Sequence, residues 1–219
     1  MCQGQFGEAS RYWFYLAKSI VGIWLVLGLL RPLVPEMKWA FSWEAVVVGI
    51  GVFVFWVGLD QHYPTVDQLT RTYLHPIFRS VGLSSWCTPA TPVVGWNPHA
   101  QFGHDSVLAW VFIVGRILGS SLIVPPLEEV FYRSFIYRYI IRQDFESVPL
   151  GTFKWSAFLI TAIIFGFSHY EWFAGILCAF CYQGLVCWKK RLGDAITAHS
   201  ITNCLLGIYV IFKGAWNFW

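Results

Sequence analysis

Ser106-VLAWVFIVGRILGSSLIVPPLEEVFYRSFIYRYI-Ile141 is the stretch whose reading decides the fold. Its two halves, Ser106–Val124 and Leu127–Ile141, are almost wholly apolar and read as two membrane segments. Pro125-Pro126 lies between them and fixes the entrance of the second helix, because Pro suits a first helical turn. Yet the same stretch carries Arg116, Glu128, Glu129 and Arg133. Hydrocarbon strongly disfavours ionisable groups, so such residues at membrane depth point to a functional site.

The rest of the chain fits that reading. It has 219 residues, 57% of them hydrophobic and 12% charged, with a mean hydropathy of +0.55. Soluble domains carry about 25% charged residues. The 13 Trp and 10 Tyr suit aromatic belts at membrane interfaces. A net charge of +3 is too small to argue for nucleic acid. The N-terminal apolar run lacks a signal-peptide cleavage site and becomes long enough to span when extended back to Tyr12.

Five further segments complete an all-α, polytopic membrane helix bundle of about seven transmembrane segments: Tyr12–Leu30, Trp39–Leu59, Phe153–His169, Trp172–Trp188 and Asp194–Phe212. The expected organisation is one membrane domain over 1–219. Residues 1–60 give two N-terminal helices, 60–105 an extramembrane loop and 106–219 a helical core. The loop holds five of the ten prolines, Arg71, Arg79 and four His. Lys189-Lys190-Arg191 is the strongest basic cluster and is placed on the cytoplasmic side. Counting seven segments from it puts the N-terminus, the long loop and Arg142–Lys154 on the same side. Arg31, Lys38 and Lys213 then fall opposite.

Two more patterns accompany the double Glu. Glu129 and Arg133 are i,i+4 and share a helix face, while Glu128 lies about 100° around the helix. Taken alone, this is equally a capped helix start with a structural ion pair. Phe165-x-x-x-His169 puts an aromatic ring one turn before a His, with Gly166 allowing close helix approach. Alone, it reads as an interfacial His. His199-x-x-x-Asn203 puts an imidazole and an amide on one face, which interhelical hydrogen bonding would explain by itself. Together the three supply carboxylates, two imidazoles, an amide and a guanidinium. That set contains a base for water, donors for an oxyanion and a cation to orient a carboxylate.

The ordered set EExxxR, FxxxH, HxxxN resembles the CPBP (Abi) family of intramembrane proteases, which includes the type II CAAX prenyl endopeptidases. The resemblance covers roughly Val124–Phe212. The short chain, its Trp content and Trp56-Val-Gly-Leu-Asp60 are similar to the exosortase-associated CAAX-protease-related subgroup. The resemblance implies an intramembrane endopeptidase acting on a membrane-associated peptide or protein, lipid-modified or not. It implies Glu128 as the base that activates water, assisted by His169. Glu129 would support it, oriented by Arg133, and His199 and Asn203 would stabilise the oxyanion. It implies no cofactor. A zinc form, with Glu128, His169 and His199 as ligands, is the alternative. A bacterial inner (plasma) membrane is the expected location.

Other readings compete. Buried Glu and His also serve proton-coupled transporters, although no internal repeat is visible. A non-catalytic immunity or assembly factor would use the same helices without cleavage. Arg116 sits beside Gly115-x-x-x-Gly119 and is expected to pair with Glu128 or Glu129, or else to meet a substrate carboxylate. Cys178-x-x-Cys181 lies in an uncharged helix with no second pair and reads as small buried thiols rather than zinc ligands. His62, His75, His99 and His104 read as loop residues.

Overall fold

The computed structural model describes residues 7–30, 32, 34–83, 85 and 95–219. Among these residues there are helices and no strands. Six longer helices organise the chain: α1 (Ser10–Leu30), α2 (Trp43–Gly58), α3 (Val107–Ile141), α4 (Trp155–Phe167), α5 (Trp172–Lys189) and α6 (Gly193–Lys213). Four of them, α1, α3, α5 and α6, are long and apolar enough to cross a membrane; α2 and α4 are apolar but shorter. Large apolar side chains such as Trp24, Phe55, Leu118 and Phe212 point outward, as expected of surfaces that face lipid. The protein is an integral membrane protein of all-α class.

One expectation changes. The two segments on either side of Pro125-Pro126 are a single helix of 35 residues, roughly 52 Å long at ~1.5 Å per residue. The prolines do not break it because the backbone widens just before them, as it does again after them. Gly119–Ile123 and Val130–Ile136 are wound as π-helix. A wider turn relieves the clash of the Pro rings with preceding carbonyls and absorbs the missing N–H donors.

Losing one crossing changes which segments share an end. Lys189 Nζ lies 2.6 Å from Glu44 Oε1 at the start of α2. Ser42 caps α2 and donates to Asp194 Oδ1 at 2.6 Å. Lys190 lies against Gly151, and the backbone of Lys38 against Gly193. Lys38 therefore sits with the Lys189–Arg191 cluster, not opposite it. The described part of the long loop lies at the other end with the start of α1. There Tyr12 donates to Asn97 O at 2.8 Å and Trp172 to Pro64 O at 2.8 Å. Only the Arg142–Lys154 connection and Lys213 keep their expected relation to the basic cluster, and Arg31 lies outside the described residues.

Small residues set the packing. A Cβ on Gly166 would stand 2.6 Å from Trp172 O, and one on Gly175 would stand 2.9 Å from Gly166 Cα, so α4 and α5 touch backbone to backbone. Gly49 on α2 does the same against α6, where its Cβ would meet Ala198 O at 2.6 Å. Close approach through small residues is how helices associate where lipid removes the hydrophobic drive. Around these contacts Trp56, Phe165, Cys178, Tyr182, Ile196 and Ala198 form the main core. Tyr12, Tyr15, Trp96 and Phe112 form a second one where α1 meets α3.

Candidate active site

The three motifs converge. Glu129 and Arg133 are fully buried on α3, with Arg133 Nε 3.2 Å from Glu129 Oε2. The Arg133 guanidinium lies 4.2 Å from the Phe165 ring centroid, which adds cation–π attraction at a fully buried position. The other Glu129 oxygen, Oε1, is 2.8 Å from His199 Nδ1. A carboxylate can only accept, so Nδ1 carries the proton in this contact. Nε2 then points towards Glu128, whose Oε2 is 3.9 Å away.

Glu128 is partly open and faces a cavity of about 370 Å³. His169, His199 and Asn203 line the same cavity. His169 sits in the turn after α4, where its Nδ1 lies 2.8 Å from Phe165 O. That carbonyl accepts from Nδ1–H and leaves Nε2 as the free acceptor. The spacing of the FxxxH motif thus has a direct purpose: the Phe165 carbonyl fixes the tautomer, and its ring packs on the imidazole at 4.6 Å. Asn203 Nδ2 donates to Ser120 O at 2.8 Å, which uses one of its two amide hydrogens.

Of the six expected site residues, Glu128, His169, His199 and Asn203 line one cavity, and Glu129 and Arg133 lie buried behind it, joined to it through His199. Glu129 differs from expectation in what it supports. Its carboxylate faces His199 and Arg133, and it orients the imidazole rather than Glu128. Arg116 also differs. Among the described residues it forms no ion pair with either Glu, and its guanidinium lies against Trp96, Tyr15 and Trp219.

Three neighbours lie outside the three motifs. Tyr182 stacks on His199 with ring centroids 5.1 Å apart and donates to Thr202 Oγ1 at 2.7 Å. Trp56 meets His169 edge-on at 5.6 Å, and Ser120 supplies its carbonyl. A Tyr in an uncharged apolar helix was the available signal, since a buried phenol needs a partner.

Among the described residues no three His, Cys, Asp or Glu side chains are grouped to hold a metal ion. The Glu129 contact is on Nδ1 of His199 and leaves Nε2 open towards Glu128, an arrangement that a metal-ligating His also uses. Cys178 and Cys181 are free thiols on α5.

This geometry can be set beside known proteins. Residues 106–205 match the family model described as type II CAAX prenyl endopeptidase Rce1-like. The Rce1-like match spans slightly under half of the chain and contains every residue of the three motifs. It agrees with the CPBP (Abi) resemblance and supports, at the level of the family, a CAAX-type intramembrane protease with a membrane-associated peptide or protein as substrate. Trp56–Asp60, which carries the subgroup resemblance, lies outside the Rce1-like span. No curated protein and no solved structure matches the chain.

Proposed function

We propose that the protein is an intramembrane endopeptidase that hydrolyses a peptide bond with water activated by Glu128, without a metal and without an acyl-enzyme. The observation that carries this reading is the pairing across the cavity: Glu128 Oε2 stands 3.9 Å from His199 Nε2, with His169 and Asn203 lining the same cavity. A water held by Glu128 and His169 loses its proton to Glu128, and the hydroxide attacks the carbonyl carbon. With a proton on Nε2, His199 provides a donor to the oxyanion, together with the second amide hydrogen of Asn203. Collapse breaks the C–N bond, and the proton held by Glu128 passes to the leaving amine.

A second apolar groove of about 330 Å³ runs between α1 and α3 and also reaches Glu128. It gives an apolar substrate segment a lateral approach from lipid. The cellular setting we propose is a bacterial plasma membrane.

The test is cleavage of internally quenched, S-farnesylated peptides by purified protein in proteoliposomes, read by mass spectrometry of both products. Glu128→Gln should lower the rate by about 10²–10⁴-fold while thermal unfolding stays at the wild-type temperature, because this side chain is partly open. Wild-type rates in Glu128→Gln would remove the proposal. Proton flux across the same liposomes would favour a transporter instead.

A further inference from the structure

Among the described residues, Arg116 is the cation of the site that has no anion. Arg133 faces Glu129, and Arg138 faces Glu36 at 3.0 Å. Arg116 lies on α3 in the membrane segment, lines the same cavity as Glu128 and His199, and among the described residues its guanidinium has neither a carboxylate nor a hydrogen-bond acceptor. Its charge is held instead by three rings from three parts of the chain. Their centroids lie 4.6 Å (Trp96), 4.9 Å (Tyr15) and 5.3 Å (Trp219) from the guanidinium carbon. Rings attract the cation but accept none of its five N–H donors in the way an oxygen does. A bare cation at membrane depth is costly, so a cavity built around one is prepared for an anionic occupant.

Planar guanidinium forks match carboxylates in bidentate fashion. Twelve residues separate Arg116 from Glu128, at most about 18 Å along the helix. Side chains fill part of that span. What remains accommodates a few residues of extended chain at ~3.3–3.6 Å each.

We propose that Arg116, fixed by Tyr15, Trp96 and Trp219, receives the C-terminal carboxylate of the substrate and thereby sets the cleaved bond a few residues from the chain end. This rests on the endopeptidase reading above for its consequence but not for its test. The probes are a dansylated, S-farnesylated heptapeptide with a free C-terminal carboxylate and its C-terminal amide twin. Binding to the full chain in nanodiscs is read by fluorescence anisotropy, so no turnover is needed. The wild-type protein should prefer the acid by about tenfold or more, as a charge-assisted pair implies. Arg116→Gln should bring the twins to equal affinity, and Arg116→Lys should keep part of the preference. A merely structural role would weaken both twins alike and leave their ratio unchanged. Equal affinity of the twins for the wild-type protein, including no measurable binding of either, overturns the proposal. So does a preference that survives in Arg116→Gln. If Arg116→Gln does not fold, the wild-type ratio and Arg116→Lys still decide.

Discussion

His199 Nδ1 lies 2.8 Å from Glu129 Oε1, and the opposite oxygen of that carboxylate lies 3.2 Å from Arg133 Nε. A single buried carboxylate thus ties the first and third helical patterns of the site together. Replacing it by Gln leaves Arg133 as an uncompensated buried charge, which costs about 3–5 kcal/mol. Glu129→Gln should therefore show a clearly lower unfolding temperature as well as slow cleavage, whereas Glu128→Gln loses cleavage alone. Wild-type stability in Glu129→Gln, measured by thermal unfolding in detergent, would contradict this division of roles.

Much of this arrangement was legible from spacing. The i,i+4 geometry of Glu129 and Arg133 is a local property of one helix, and the helix delivers it. Gly166 reads in the sequence as a point of close approach, and α4 and α5 do meet there. What spacing does not encode is the partner across a helix interface. Glu129 contacts a residue 70 positions away, and nothing in either motif says which carboxylate the imidazole would choose. Continuity through Pro125-Pro126 was also hidden, because two prolines suggest a helix start unless the flanking turns widen. The continuous helix removes one crossing and so puts Lys38 at the same end as Lys189-Lys190-Arg191.

Gly166 gives a purely steric prediction. A Cβ there would press on the Trp172 carbonyl at 2.6 Å and on the Ile176 side chain, and neither the backbone nor its helix can retreat without moving α5. Gly166→Ala should cost about 1–3 kcal/mol, the usual range for overpacking. It should also slow cleavage, because His169 follows three residues later and its Nδ1 partner, the Phe165 carbonyl, immediately precedes the glycine. Thermal unfolding and cleavage rate of the purified variant check both parts; an unchanged value of either contradicts the packing argument.

The Tyr182 hydroxyl and ring should separate. Tyr182→Phe removes only the hydrogen bond to Thr202 Oγ1, worth about 0.5–1.5 kcal/mol, and keeps the ring against His199. Tyr182→Ala also removes a fully buried ring, at a cost of about 3–5 kcal/mol, and frees the imidazole to tilt. The first variant should cleave at close to the wild-type rate and the second should not. Equal rates in the two would mean that the stacked ring does not hold His199.

Metal dependence follows from the donor geometry. With no group of three donors among the described residues, the metal-free reading expects purified protein dialysed against EDTA or 1,10-phenanthroline to keep its cleavage rate. Loss of activity restored by zinc, with elemental analysis giving one metal per chain, would return Glu128, His169 and His199 to the role of ligands.

Glu171 supplies the pH test. It lies in the turn between α4 and α5 and borders the cavity. Burial pushes its carboxyl above the ordinary value of 4.5, and the nearby charge of Asp60 pushes the same way. A raised folded-state value means that the folded protein holds its proton after the unfolded chain has released its own. Below the ordinary value both states are protonated and the group has no effect. As pH climbs from about 4.5 the unfolded chain ionises first, so stability falls with rising pH until the folded carboxyl also ionises. Glu171→Gln carries no titrating group and should lose this decline. Thermal unfolding of both proteins from mildly acidic to neutral pH reads the difference directly. Parallel curves would show that Glu171 titrates as an exposed carboxylate, and a wild-type curve that rises relative to the variant would reverse the sign of the argument.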